Sequence, residues 1–161
     1  MVPAIGYSGT APANPAGHPP KVFKGLMKTL GGRMTAWGPD HATIEIDVTN
    51  KIKNGIDVVH GGVMAALIDT AGAHAGIFCA EPGRIRHAMT VSLNVNLLGN
   101  IGEGVLIAKA RIRKAGKTIF VSSCDVEDGD GNLLATGEVV GRYSRGSHLP
   151  EGVEIAPKKT V

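Results

Sequence analysis

The residues of this chain that could do chemistry lie in one short segment. Residues 54–76 run from a polar turn that begins with Asn54, through His60-Gly61-Gly62, into a long apolar run with a single carboxylate, Asp69. An ionised carboxylate in apolar surroundings is costly unless it is paired or hydrogen-bonded. Asp69 is therefore a candidate for acid–base or nucleophilic chemistry, although it could instead cap a neighbouring element or point to solvent.

The apolar run has the spacing of a helix that begins at His60-Gly61-Gly62, and the residues that set this spacing are Val63, Ala66, Leu67, Ala71 and Ala75. Free N–H groups at a helix start suit a developing oxyanion, and glycine lets a carbonyl approach the backbone closely. Alternatively, the two glycines only form a tight turn. Asp69 follows Gly61 by eight residues, which is about 12 Å along a helix. If both groups serve one reaction centre, they must come from two chains, and the site must lie at a dimer interface.

The order and spacing of Asn54, His60-Gly61-Gly62 and Asp69 resemble the signature of hotdog-fold acyl-CoA thioesterases of the PaaI (phenylacetic acid pathway) type. The resemblance covers about residues 34–143. It implies an α+β hotdog fold, in which an antiparallel sheet wraps around a long central helix rich in small residues. It also implies an acyl-CoA substrate and a homodimer, or a dimer of dimers.

The same resemblance assigns roles to single residues. Asp69 would act as the base or nucleophile, and the Gly61 N–H would be the oxyanion donor. Asn54 would hold the water or the thioester carbonyl, His60 would position the loop and thioester, and Thr90 would orient the catalytic water. The segment KAGKT resembles the hairpin that holds the pantetheine and nucleotide of CoA, here through Lys114, Gly116, Lys117 and Thr118. An ordinary charged hairpin is the alternative for this segment.

Composition agrees with one compact domain and excludes several other classes. The net charge of +3 and the pI near 9.0 are mild, and they suit an anionic small ligand as well as a weak nucleic-acid footprint, so the charge decides little. We expect neither nucleic acid nor membrane partners. The two cysteines are too few for a disulfide scaffold, and no histidine pair has zinc-ligand spacing. We therefore expect no metal and no cofactor. No secretory signal is recognisable at the start, so a cytoplasmic location is expected.

Alternating patterns predict a sheet around the helix. The predicted strands are 42–48, 88–97, 104–113, 118–126 and 133–143. In the second of these, Thr90, Ser92, Asn94 and Asn96 are predicted to share one face. The acidic segment EDGDGN is predicted to be a hairpin turn. We expect an N-terminal region over 1–33, in which residues 1–20 form a loosely packed arm and residues 21–30 a short amphipathic helix. A hotdog thioesterase domain over 34–145 and a peripheral tail over 146–161 are expected to follow.

Two other functions are compatible with a hotdog fold. One is a non-hydrolytic acyl-CoA or acyl-carrier binding module, although such a module gains nothing from a costly carboxylate at Asp69. The other is a dehydratase or hydratase that acts on hydroxyacyl or enoyl thioesters, which typically has a different arrangement of histidine and acid on the helix. An assay for free thiol with several acyl-CoAs distinguishes the three.

Overall fold

The computed structural model describes residues 22–155, in which a six-stranded antiparallel sheet packs around one long helix and two short strands form a second sheet. The chain order is α1 Gly25–Thr29, β1 Arg33–Gly38, β2 His41–Asp47, a 3-10 turn Asn50–Ile52, α2 Gly61–Gly76, β3 Arg84–Ile85, β4 Ala88–Leu97, β5 Val105–Ala115, β6 Ile119–Glu127, β7 Leu133–Tyr143 and β8 Val153–Glu154. The large sheet has the order β1-β2-β5-β6-β7-β4. The predicted hotdog architecture is confirmed.

The central helix α2 packs closely on the sheet because small residues line its sheet-facing side. A Cβ added at Gly72 would lie 2.5 Å from Cγ2 of Val139, and one at Gly76 would lie 2.5 Å from Cζ of Phe120. Residues that precede these glycines on the helix complete the core, and Met64, Leu67, Ile68 and Ala71 are fully buried. No helix within residues 22–155 is long and apolar enough to cross a membrane.

The amphipathic helix predicted near residues 21–30 is present but short. Phe23 and Met27 are buried against the core, and Gly31, at φ +77°, follows the helix end. The Gly32 N–H donates to the Met27 carbonyl, which closes the last turn. The N-terminal arm predicted over residues 1–20 lies outside the described residues.

The five predicted strands are all present, with ends that differ by at most two residues from the prediction, and the acidic segment EDGDGN forms the predicted hairpin turn. In this turn the Asp128 carboxylate accepts backbone N–H groups of Asp130 and Asn132 and the Asn132 side-chain amide. These hydrogen bonds, above all those from Asn132, lower the pKa of Asp128. The edge strand β1 was not predicted, because a bulge between Met34 and Ala36 interrupts its alternation.

Residues 144–155, here termed the C-terminal strap, fold back onto residues 78–87. The pair β3–β8 joins the two segments, and Arg84 donates to the carbonyls of Glu151 and Gly152. Arg86 donates to the carbonyls of Phe78, Ser147 and His148. The sequence has no periodic signal here, because these contacts are made by side chains on backbone carbonyls rather than by a regular apolar face.

Candidate active site

Asp69 lies midway along α2 and faces the first residues of β4. The Thr90 hydroxyl donates to Asp69 Oδ1 at 2.6 Å, and both side chains are half-buried. No ion-pair partner of Asp69 occurs within residues 22–155. The carboxylate is thus oriented by one short O–H···O⁻ hydrogen bond and keeps its remaining lone pairs available.

A bulge in β4 puts Thr90 in this position. The register between β4 and β7 shifts between Thr90 and Ser92, so Thr90 lies on the helix side of the sheet while Asn94 and Asn96 lie on the other. Asn96 shares its outer face with Thr136, whose Oγ1 is 3.5 Å from Asn96 Nδ2. The prediction that Thr90 shares a face with Ser92, Asn94 and Asn96 is therefore wrong, because one extra residue reverses the alternation.

The start of α2 is capped by His60, whose Nδ1 accepts the Gly62 N–H at 2.9 Å. An accepting Nδ1 places the proton of the neutral ring on Nε2. The Gly61 N–H has no acceptor among residues 22–155. The helix therefore begins with one capped N–H and one open donor at the positive end of its dipole.

Asn54 belongs to a tight turn that leads into the helix. Its side-chain Oδ1 accepts the Ile56 N–H at 3.0 Å, and the backbone N–H of Asn54 donates to the Val58 carbonyl at 2.8 Å. The Asn100 side chain donates to the Val59 carbonyl at 2.8 Å and fixes this turn against the loop after β4. The Asn54 amide NH₂ retains two donors that no group in the described part of the chain accepts.

The predicted catalytic residues thus form two separate groups within one chain. Thr90 joins Asp69, whereas Asn54 and His60 lie with Gly61 at the start of α2. Gly61 and Asp69 are eight residues apart on a continuous helix, so about 12 Å of helical rise separates them. One carbonyl carbon is too small to contact both groups of the same chain.

The predicted CoA hairpin joins β5 and β6, and Lys114, Gly116, Lys117 and Thr118 are all exposed. The Gly116 N–H donates to the Ile119 carbonyl, and the Thr118 carbonyl accepts the Tyr143 N–H. Phe120, two residues after the hairpin, packs under Gly76 at the C-terminal end of α2. Within one chain the hairpin is thus at the opposite end of α2 from Gly61.

The other residues with possible chemistry have structural roles. His74 packs edge-on against Phe23 and Trp37, and its carbonyl accepts the Trp37 indole N–H. Burial raises the pKa of the Cys124 thiol to about 12, so this thiol is not a nucleophile near neutral pH. No cluster of His, Cys, Asp and Glu that could hold a metal ion occurs among residues 22–155.

Sequence reasoning missed two contacts near the site. Leu97 packs over Gly61, and Arg86 anchors the C-terminal strap next to the start of β4. In the sequence, Leu97 is one of several alternating apolar residues of its strand, so no local signal distinguishes it from the others. Arg86 lies near other charged residues in sequence, and its partners in the strap, Ser147 and His148, lie about sixty residues further along the chain.

Comparison with known proteins gives matches to thioesterases and esterases. The family profile described as "Thioesterase superfamily" matches residues 57–135. A putative esterase of Haemophilus influenzae is 30% identical over 104 residues, which cover 65% of this chain and 74% of that protein. Mouse acyl-coenzyme A thioesterase 13 is 31% identical over 102 residues, which cover 62% of this chain and 70% of that protein.

Among solved structures, a thioesterase from Haemophilus influenzae superimposes with a TM-score of 0.67 at 26% identity and covers 73% of this chain and 81% of its own. Sequence and structure point to the same family, and the fold contains the helix and edge strand on which the Asp69–Thr90 pair depends. The chain belongs to the thioesterase superfamily and is a thioester hydrolase.

Proposed function

We propose that this protein is an acyl-CoA thioesterase of the PaaI type that works as a homodimer, with each site built from two chains. The observation that carries the proposal is the division of groups along α2. An open Gly61 N–H stands at its start, and the Thr90-bound carboxylate of Asp69 stands eight residues later.

Thioester hydrolysis needs a donor that stabilises the oxyanion and a base or nucleophile, and the Gly61 N–H and the Asp69 carboxylate are groups of these two kinds. A thioester carbon is already electrophilic, because sulfur donates poorly into the carbonyl. The Gly61 N–H would stabilise the oxyanion, and one such donor is worth about 3 kcal/mol. Asp69 of the other chain would either activate water as a general base or attack the carbonyl carbon directly, which expels the CoA thiolate and forms an anhydride that water then hydrolyses. Thr90 orients the carboxylate, Asn54 offers its amide N–H groups to the water or carbonyl, and His60 holds the helix start.

The edges of the sheet favour a dimer through β4. This ten-residue strand is at one edge, and its large apolar side chains Met89, Val91 and Leu93 are exposed. A long apolar edge is a template for pairing with another strand. The opposite edge strand, β1, has only six residues, which makes it a poorer template. Antiparallel pairing of two β4 strands would bury these side chains and bring the two α2 helices together.

The hairpin of residues 114–118 is the proposed contact for CoA. Its two lysines are exposed and can reach phosphate groups, and Phe120 ties the hairpin to the C-terminal end of α2, away from Gly61. One chain would therefore supply the hairpin and Asp69, while the other supplies Gly61. Association of two dimers into a tetramer and a cytoplasmic location remain predictions from the sequence.

The experiment is a free-thiol assay with purified protein and a panel of acyl-CoAs of different chain length and aromatic content. We expect thiol release by the natural protein and a decrease in kcat of about 10²–10⁴ in Asp69→Asn, with little change in KM. Asp130→Asn, in the exposed turn between β6 and β7, is the matched control and should keep full activity. Undiminished turnover by Asp69→Asn would contradict the proposal. Acyl-CoA binding without any thiol release would indicate a binding module instead.

A further inference from the structure

The side chain of Leu97 lies directly over the start of α2. A Cβ built on Gly61 would be 2.6 Å from Leu97 Cδ1, and 3.8 and 3.9 Å from its Cγ and Cδ2. The isobutyl group therefore rests on the Gly61 backbone. Any side chain at position 61 would displace the end of Leu97, so the two positions are sterically coupled.

Leu97 does not fill the core. It is 54% exposed, whereas the core side chains around α2, such as Leu67 and Ile68, are fully buried. Leu97 is the last residue of β4 and lies on the helix side of the sheet, as the Gly61 contact requires. An exposed branched side chain thus borders the same backbone position that carries the open N–H.

This position limits what can be attached to a carbonyl bound at Gly61. A hydrogen bond would place a carbonyl oxygen about 2.9 Å from the Gly61 nitrogen. The substituents on that carbonyl carbon would then share the space next to Gly61 with the Leu97 side chain. A CH₂ group next to the carbonyl needs little room. A branch or a ring attached directly to the carbonyl needs the volume that Leu97 occupies.

We propose that Leu97 is a specificity-determining residue that selects acyl groups with an unbranched carbon next to the thioester carbonyl. The inference rests on the proposed function of Gly61 as the oxyanion donor. The favoured substrates are linear acyl-CoAs and acyl groups in which a CH₂ separates a ring from the carbonyl. The disfavoured substrates are branched or aromatic at the carbon that bears the carbonyl.

The test compares kcat/KM for butyryl-CoA and isobutyryl-CoA, two isomers that differ only in the branch. The natural protein should favour butyryl-CoA. Leu97→Ala should raise the isobutyryl-to-butyryl ratio by about tenfold or more, since a methylene-sized mismatch in an apolar site changes kcat/KM by roughly 10–200-fold. Leu97→Phe should lower the ratio. Leu98→Ala is the matched control, because Leu98 is 60% exposed and adjacent, and its ratio should match the natural protein.

A binding measurement separates this inference from the proposed function. S-(2-oxopentyl)-CoA and S-(3-methyl-2-oxobutyl)-CoA carry the same acyl shapes in non-hydrolysable form, and calorimetry gives the ratio of their Kd values for each variant. If no acyl-CoA is hydrolysed but the Kd ratio follows residue 97, the proposed hydrolysis fails, and selection by Leu97 stands for binding of the acyl group beside Gly61. If hydrolysis occurs but neither ratio changes by more than twofold in well-folded Leu97→Ala, the inference is overturned. Loss of dimerisation in that variant with unchanged ratios would assign Leu97 to the interface and would also overturn it.

Discussion

The hydrogen bond between Thr90 and Asp69 gives the most quantitative prediction. Its 2.6 Å length is that of a charge-assisted O–H···O⁻ bond. Such bonds contribute about 1.5–3 kcal/mol. If the bond holds Asp69 in its reactive orientation, Thr90→Val should lower kcat for acyl-CoA hydrolysis by about 10- to 150-fold, because 1.36 kcal/mol corresponds to a factor of ten. Thr90→Ser keeps the hydroxyl and should keep kcat within a few-fold of the natural protein.

A double-mutant cycle tests whether Thr90 acts through Asp69. In the Asp69→Asn background the carboxylate is already absent, so adding Thr90→Val should lower kcat by less than about threefold. Thermal unfolding of each variant controls for loss of folded protein. An equal penalty from Thr90→Val in both backgrounds, or full activity of Thr90→Val alone, would refute the reasoning.

Three further predictions concern other parts of the molecule. Lys117→Ala should raise KM for acyl-CoA by about tenfold and leave KM for a short pantetheine thioester unchanged, since only CoA carries the nucleotide phosphates. If Lys117→Ala and the natural protein have the same KM for acyl-CoA, the hairpin is only a solvated turn. Cys124 should resist a thiol reagent at pH 8, because burial raises its pKa to about 12, whereas half-exposed Cys79 should react. In the unfolded chain the Cys124 thiol has its ordinary pKa of 9.0, whereas the folded chain keeps it protonated up to about pH 12. The contribution of the protonated thiol to the free energy of unfolding is therefore present below pH 9 and is lost as the pH rises toward 12. Two rapidly reacting thiols in the folded protein would contradict the burial of Cys124. Arg86→Met removes the hydrogen bonds to the strap carbonyls, and trypsin should then cut after exposed Arg145 about tenfold faster; an unchanged cutting rate would show that the strap is held by other contacts.

The sequence predicts the elements well and their details less well. The strand over 88–97 has the predicted ends, because strong alternation defines it. The bulge near Val91 could not be predicted, since the alternating letters continue through it and only pairing with β7 reveals the shift. That bulge is what turns Thr90 toward Asp69, so this contact depends on tertiary structure.

The start of the helix was more predictable than its surroundings. A histidine followed by two glycines before an apolar run is a local signal, and His60 does cap the helix by accepting the Gly62 N–H. The packing of Leu97 on Gly61 joins residues 36 positions apart and has no local signal. The strap contacts of Arg86 span more than sixty residues and were missed for the same reason.

The most direct test of the shared site is complementation between two inactive variants. Asn54→Ala and Asp69→Ala should each form nearly inactive homodimers, because each change damages every site. In a mixed dimer one site carries both lesions, and the other combines an intact Asn54 from one chain with an intact Asp69 from its partner. Re-association of the two variants should restore thioesterase activity, up to about a quarter of the natural level if chains pair at random and sites act independently. If mass spectrometry confirms chain exchange and no activity returns, Asn54 and Asp69 act within one chain, and the shared site is contradicted.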